Sequence, residues 1–65
     1  MRREIKLHAY QLEVGDLVES WEGWHLVHNL KGSYMRGRGL LVDILLDDGW
    51  HRVECLSILK VSRNV

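Results

Sequence analysis

The sequence has no proline, no phenylalanine and only one cysteine, and neither sign of charge is in excess. Nine Lys and Arg residues balance nine Asp and Glu residues. The lone Cys55 excludes an internal disulfide framework. No apolar run approaches the roughly 18 residues that a membrane helix needs, and an apolar fraction of 46% is too high for a disordered chain. These absences leave one small globular domain, predicted to span residues 1–65.

The first residues are basic but do not resemble an export signal. Met1-Arg2-Arg3 is followed by Glu4 and Lys6, which interrupt any apolar core of a signal peptide. We therefore expect the protein to stay in the cytoplasm and to have no membrane partner.

Six glycines divide the chain into short segments that are rich in β-forming residues, as is typical of a meander of strands. The predicted strands are 4–10, 17–20, 24–30, 40–46, 50–56 and 60–63. Residues 31–39 are predicted to form a loop and 57–59 a helical turn or bend. Trp21-Glu22-Gly23 and Asp47-Asp48-Gly49 predict tight hairpin turns, the second of which requires a positive φ.

Hydrophobic alternation assigns the faces of the predicted strands. The inward positions of the first strand are Ile5, Leu7 and Ala9. Residues 40–46 are a nearly continuous apolar run, which is typical of the most buried strand of a sheet. The run is interrupted only by Asp43, which we expect on the outward face, paired with Arg52 of the next strand. A catalytic role for Asp43 would instead require a buried carboxyl with a raised pKa.

Five to six short antiparallel strands can curl into one small all-β barrel that covers its sheet edges. Leu12-x-Val14-Gly15-Asp16-x-Val18, the glycine-turned hairpin after it, and Val42 to Leu46 followed by Asp48-Gly49 resemble the SH3-like barrels of the KOW and Tudor type. The resemblance covers roughly residues 11–61 and depends on turn and core residues. With the first strand at 4–10, the barrel core is predicted to span about residues 11–63. The resemblance implies a binding module and not an enzyme, because such barrels commonly bind nucleic acid, the transcription and translation machinery, or peptides.

The charges are balanced in sum but segregated along the chain. The loop at 31–39 contains Lys31, Arg36, Arg38 and Tyr34 with three glycines and no acid. Arg binds phosphate bidentately, glycine lets the backbone approach a phosphate, and a tyrosine ring stacks on a base. These four residues are the predicted contacts with nucleic acid, or with a nucleoprotein machine such as RNA polymerase or the ribosome. The alternative is a solvated connecting loop.

Such binding would be confined to one side of the molecule, because an acidic stretch repels phosphate. This stretch contains Glu13, Asp16, Glu19 and Glu22, with no Lys or Arg between them. With the N-terminal arginines Arg2 and Arg3 added to the loop, three to five phosphate contacts would give a log–log salt slope of about −3 to −5.

The rival hypothesis is a protein-interaction or inhibitor module that binds a basic protein partner or forms a homodimer contact. Its predicted partner-binding residues are Trp21, Trp24, Glu13, Glu19 and Glu22. Exposed tryptophans are frequent hot spots of protein interfaces. Two further interpretations are open. In a chain without phenylalanine, Trp24 and Trp50 could serve as core residues or as caps at the barrel ends, or one or two of the three tryptophans could form a Tudor-like aromatic cage with Tyr34.

Two His and Cys pairs have zinc-like spacing, but strand geometry argues against both. His25 and His28 are three residues apart and therefore point to opposite faces of a strand. His51 and Cys55 share a face but lie about 13 Å apart at 3.3 Å per residue. We therefore expect no metal, no cofactor and no catalytic residue.

Overall fold

The computed structural model describes residues 1–35 and 39–64, and side-chain positions for all of these except 33–35. Seven antiparallel strands and one 3-10 turn make up the described chain. The strands are β1 (Arg2–His8), β2 (Leu17–Ser20), β3 (Gly23–Leu26), β4 (Asn29–Met35), β5 (Gly39–Leu46), β6 (Gly49–Glu54) and β7 (Ile58–Asn64), and the 3-10 turn is Ala9–Gln11. The predicted all-β fold of short antiparallel strands is confirmed, with seven strands in place of five or six.

The strands pair into two sheets. A four-stranded sheet has the order β1-β7-β2-β3, and a three-stranded sheet has the order β4-β5-β6. No strand pairing between the two sheets is present among residues 1–35 and 39–64. The resemblance to SH3-like barrels therefore stays a prediction. No helix in the described part of the chain is long and apolar enough to cross a membrane.

The inward side chains of the two sheets form a single hydrophobic core. The buried members of this core are Ala9, Leu12, Val18, Val27, Val42, Ile44 and Val61. Val18 lies opposite Val61 on the paired strands β2 and β7, and β5 contributes Val42 and Ile44. Ile5 and Leu7 pack against this cluster, which confirms the inward face predicted for the first strand.

The chain passes from one sheet to the other at Val27 and His28. The backbone of Val27 exchanges hydrogen bonds with the Gly15–Asp16 segment, its N–H donating to the Asp16 carbonyl at 2.8 Å. The next N–H, from His28, donates to the carbonyl of Leu45 in the three-stranded sheet at 2.8 Å. The prediction of one strand over 24–30 is therefore wrong, because successive residues bond to different sheets.

Three other predicted boundaries also change. Residues 31–35 are not loop, since they continue β4 and pair with Gly39–Asp43 of β5. The central strand β5 needs backbone partners on both sides, and this requirement outweighs the local glycine signal. Ile58 and Leu59 belong to β7 and not to a helical turn, and the first strand ends at His8, before the 3-10 turn.

Both predicted hairpin turns are confirmed and share one geometry. Trp21 and Glu22 connect the paired residues Ser20 and Gly23, as Asp47 and Asp48 connect Leu46 and Gly49. The glycine after each turn has a positive φ, +124° at Gly23 and +118° at Gly49. A side chain is strained in this region, so each turn requires glycine at that position.

Candidate functional site

The outer face of the three-stranded sheet carries a row of charged side chains across all three strands. Lys31 of β4 lies opposite Asp43 of β5, which lies opposite Arg52 of β6. The Nε of Arg52 donates to Oδ1 of Asp43 at 2.8 Å. The predicted pairing of Asp43 with Arg52 is thus confirmed. Lys31 and Arg52 against Asp43 leave one positive charge in excess.

The environment of Asp43 suits a carboxylate that stays ionised. The hydrogen bond from Arg52 lowers the pKa of Asp43; the small desolvation opposes this, and the charges of Arg52 and Lys31 lower it further. The pKa of a buried catalytic acid would move in the opposite direction. Asp43 therefore acts as a fixed anchor for the Arg52 guanidinium.

An exposed aromatic ring lies beside this row. Trp50 is 49% exposed, and the Nζ of Lys31 lies over its ring, 5.4 Å from the centroid. A cleft of about 340 Å³ is bounded by Lys31, Asp43, Trp50, His51 and Arg52. The arrangement places an aromatic ring and two cations, Lys31 and Arg52, in one cleft, which is the combination that single-stranded nucleic-acid sites use.

The first residues of the predicted basic loop, 31–35, belong to the long β4–β5 pairing next to this cleft. The β4–β5 ladder runs two pairs beyond Leu41–Glu54, the last pair of β5 with β6, and ends at Met35–Gly39. Lys31 is on β4 and lines the cleft. Tyr34 is also on β4, but its side chain is outside the described set. Arg36 and Arg38 lie outside the described residues.

The acidic stretch of the sequence does not remain an unpaired patch in the fold. Arg63 contacts Glu13 at 3.0 Å, and Lys60 contacts Glu19 at 3.4 Å. Both cations come from β7, which lies beside β2 in the four-stranded sheet. Glu22 has no ion pair among residues 1–35 and 39–64. Folding thus places two cations of β7 beside part of the acidic stretch.

Asp16 is the most buried charged side chain in the described chain, at 3% exposure. Arg63 donates to both carboxylate oxygens, at 2.9 and 2.8 Å, and the N–H of Glu13 donates to Oδ2 at 2.9 Å. Burial raises the pKa of Asp16, but these hydrogen bonds and the charges of Arg63 and Arg2 together hold it below its ordinary value. Sequence reasoning missed Arg63, because no local pattern links residues 47 positions apart.

The three tryptophans do not share a pocket. Trp21 lies on the β2–β3 turn and is 92% exposed, Trp24 lies on the four-stranded sheet, and Trp50 lies on the three-stranded sheet. The one stacked ring pair in the described part of the chain is His8 with Tyr10, with centroids 5.7 Å apart. The described residues therefore do not assemble an aromatic cage from the tryptophans.

The histidines with zinc-like spacing have separate partners. The pairs are His25 with Ser20 at 2.9 Å, His28 with Asp47 at 2.7 Å, and His51 with Asp48 at 2.6 Å. Within the described ranges, no group of three or more His, Cys, Asp or Glu side chains is arranged to hold a metal ion. The Asp47–Asp48 turn takes part in two of these pairs, one with His28 and one with His51.

Comparisons of the chain with protein-family models, with curated proteins and with solved structures found no match. A proposal for function therefore depends on the side chains described above.

Proposed function

We propose that the protein is a non-enzymatic binding module that holds single-stranded nucleic acid against the outer face of the three-stranded sheet, alone or within a nucleoprotein machine such as RNA polymerase or the ribosome. The observation that supports this most directly is the exposed Trp50 ring with the Lys31 ammonium 5.4 Å from its centroid. An aromatic ring for stacking and a cation for phosphate binding are in contact there.

Trp50 provides the stacking surface. Its half-exposed ring stands on the rigid strand β6, so little order is lost when a base stacks on it. Stacking of a base on an aromatic side chain contributes about 1–3 kcal/mol and accepts any base, because every base has a π face. The expected binding is therefore tolerant of sequence.

The cations hold the backbone of the strand. Lys31 lines the cleft, and Arg36 and Arg38 follow it in the sequence. Arg52 is held in one orientation by Asp43, so it forms a pre-positioned hydrogen-bond donor beside the ring. With balanced total charge, the affinity comes from this local arrangement and not from a general attraction to polyanions.

Fluorescence anisotropy of a labelled 12-nucleotide single strand tests the proposal directly. Trp50→Ala is expected to weaken binding by about 5- to 100-fold, the equivalent of one lost stacking contact. Trp24→Ala is the matched control, since it removes a tryptophan from the other sheet. Lys31→Ala is expected to weaken binding, whereas Lys6→Ala, on the exposed side of β1, is not. Equal losses in the test and control variants would contradict the proposal.

The protein-partner alternative keeps only part of its predicted surface. Glu13 and Glu19 are in ion pairs with β7, so Trp21 and Glu22 are the members of the set that stand available at a turn. A homodimer formed through Trp21 would appear as a concentration-dependent mass in sedimentation equilibrium and would be lost in Trp21→Ala. A monomeric mass at all concentrations would exclude the dimer.

A further inference from the structure

The hairpin turns of the two sheets meet at one end of the molecule and enclose a second cleft. Its volume is about 360 Å³. Trp21 and Glu22 of the β2–β3 turn lie on one side, and Asp48 of the β5–β6 turn lies on the other. Ser20, His25, His51 and Leu46 complete the lining. The cleft thus combines one aliphatic side chain and one aromatic ring with polar side chains and two carboxylates.

The cleft is lined by two carboxylates and two histidines. Glu22 and Asp48 are acidic, and no Lys or Arg lines the cleft. The hydrogen bond from His51 lowers the pKa of Asp48, and the charges of His51 and His25 act in the same direction against a small effect of burial. The carboxylates of Glu22 and Asp48 therefore favour a positively charged occupant.

The geometry of the β2–β3 turn does not require a tryptophan at position 21. The equivalent position of the other turn, which has the same length and the same glycine, is occupied by Asp47. Trp21 is 92% exposed, so it adds almost nothing to the core. A large aromatic ring that neither the turn nor the core requires points to a contact outside the chain, and its face attracts cations.

We propose that this cleft binds a cationic side chain, lysine or arginine, from a basic segment of a partner protein. The ammonium or guanidinium group lies against the Trp21 ring and between the carboxylates of Glu22 and Asp48. The aliphatic stem of the side chain lies toward Leu46. This site lies beyond the nucleic-acid surface proposed above and does not depend on it.

The two sites are adjacent but separable. His51 borders both clefts, while Trp50 and Lys31 line only the first and Trp21 and Glu22 only the second. A nucleoprotein particle presents both kinds of ligand, because its basic protein segments lie against nucleic acid. The geometry therefore suits simultaneous contact with a nucleic-acid strand and with the basic segment beside it.

An NMR titration with acetyl-tetralysine-amide tests the cleft, with acetyl-tetraglutamine-amide as the neutral probe. We expect tetralysine to shift the Trp21 indole N–H and the backbone amides of Glu22 and Asp48, and tetraglutamine to leave them unmoved. Glu22→Gln and Trp21→Ala are each expected to weaken tetralysine binding by about 2- to 5-fold, the usual size of an exposed ion pair or cation–π contact. Both positions are exposed, so neither change is expected to affect folding.

Glu54→Gln is the matched control, because it removes the same charge from an exposed position on β6 outside the cleft. Equal weakening by Glu54→Gln and Glu22→Gln would show non-specific attraction and overturn the proposal. So would equal shifts with tetraglutamine, or no shift at the cleft at 10-fold molar excess or above. The Trp21→Ala, Glu22→Gln double variant is expected to keep its oligonucleotide affinity, and Trp50→Ala to keep its tetralysine affinity. Failure of one site is thereby distinguishable from failure of the other.

Discussion

The ion pair between Asp16 and Arg63 provides the sharpest test of how this small fold is held together. Arg63→Met keeps most of the aliphatic stem but removes both hydrogen bonds to the Asp16 carboxylate. Removing one partner of a buried ion pair costs about 3–5 kcal/mol, because a buried charge is left uncompensated. Arg63 is 24% exposed, so some water reaches the site after the substitution. We therefore expect a loss of about 2–4 kcal/mol in the free energy of unfolding.

Urea unfolding followed by tryptophan fluorescence measures this loss. The double variant Arg63→Met, Asp16→Asn removes the orphaned charge as well, and we expect it to recover about 1–2 kcal/mol relative to the single variant. This recovery distinguishes an orphaned charge from simple loss of packing. Lys60→Met is the control, since its pair with Glu19 is 3.4 Å long with both side chains more than 40% exposed, and it is expected to cost less than about 1 kcal/mol. An Arg63→Met protein as stable as wild type, or a double variant weaker than the single, would refute the reasoning.

The same ion pair predicts a pH dependence. The pKa of Asp16 is lower in the folded protein than its ordinary value of 3.8, so its contribution to stability is fully present above that value. The contribution is lost as the pH falls below about 4, through the folded-state pKa. Asp43 and Asp48 also have lowered pKa values and act in the same direction. The part due to Asp16 is the difference between wild type and Asp16→Asn in urea unfolding from pH 7 to pH 2, and parallel profiles would contradict it.

Three further outcomes follow from the packing, the turns and the proposed interface. Val27→Ala removes two methyl groups from a fully buried side chain and is expected to lower the free energy of unfolding by about 2 kcal/mol in urea titrations. Gly49→Ala places a side chain at φ +118° and is expected to cost about 1–2 kcal/mol, whereas Gly32→Ala, with a φ outside that region and open space around it, costs much less. Oligonucleotide affinity through Lys31, Arg36 and Arg38 is expected to fall with a log–log salt slope of about −2, and Lys31→Ala to make it shallower by about 0.7.

Features determined by neighbouring residues could be predicted from the sequence. The Asp47–Asp48 turn of two residues places Leu46 opposite Gly49, and this register alone places Asp43 opposite Arg52. The same short-range logic gives the inward face of β1. Turn length and the alternation of inward and outward side chains are both set within a few residues. Strand register can therefore be predicted from them.

Features determined by distant residues could not be predicted. The break at Val27 arises because its backbone bonds to Asp16 while the next residue bonds to Leu45. The partner of Asp16 is on β7, at the other end of the chain. Predicting the ion pairs of the acidic stretch requires the knowledge that β7 lies beside β2. Local periodicity does not give the order of the strands in a sheet.

The order of the strands has a consequence for the rate at which the protein folds. The three-stranded sheet forms from one continuous stretch, residues 29–54, whereas β1 and β7 pair residues between 50 and 62 positions apart. Closing a loop of that length costs about 2–3 kcal/mol more entropy than closing a short hairpin. The β4-β5-β6 meander is therefore expected to form first and the β1–β7 ladder last. Substitutions on that ladder, such as Ile5→Val, would then mainly accelerate unfolding and leave the folding rate nearly unchanged, which stopped-flow kinetics can measure.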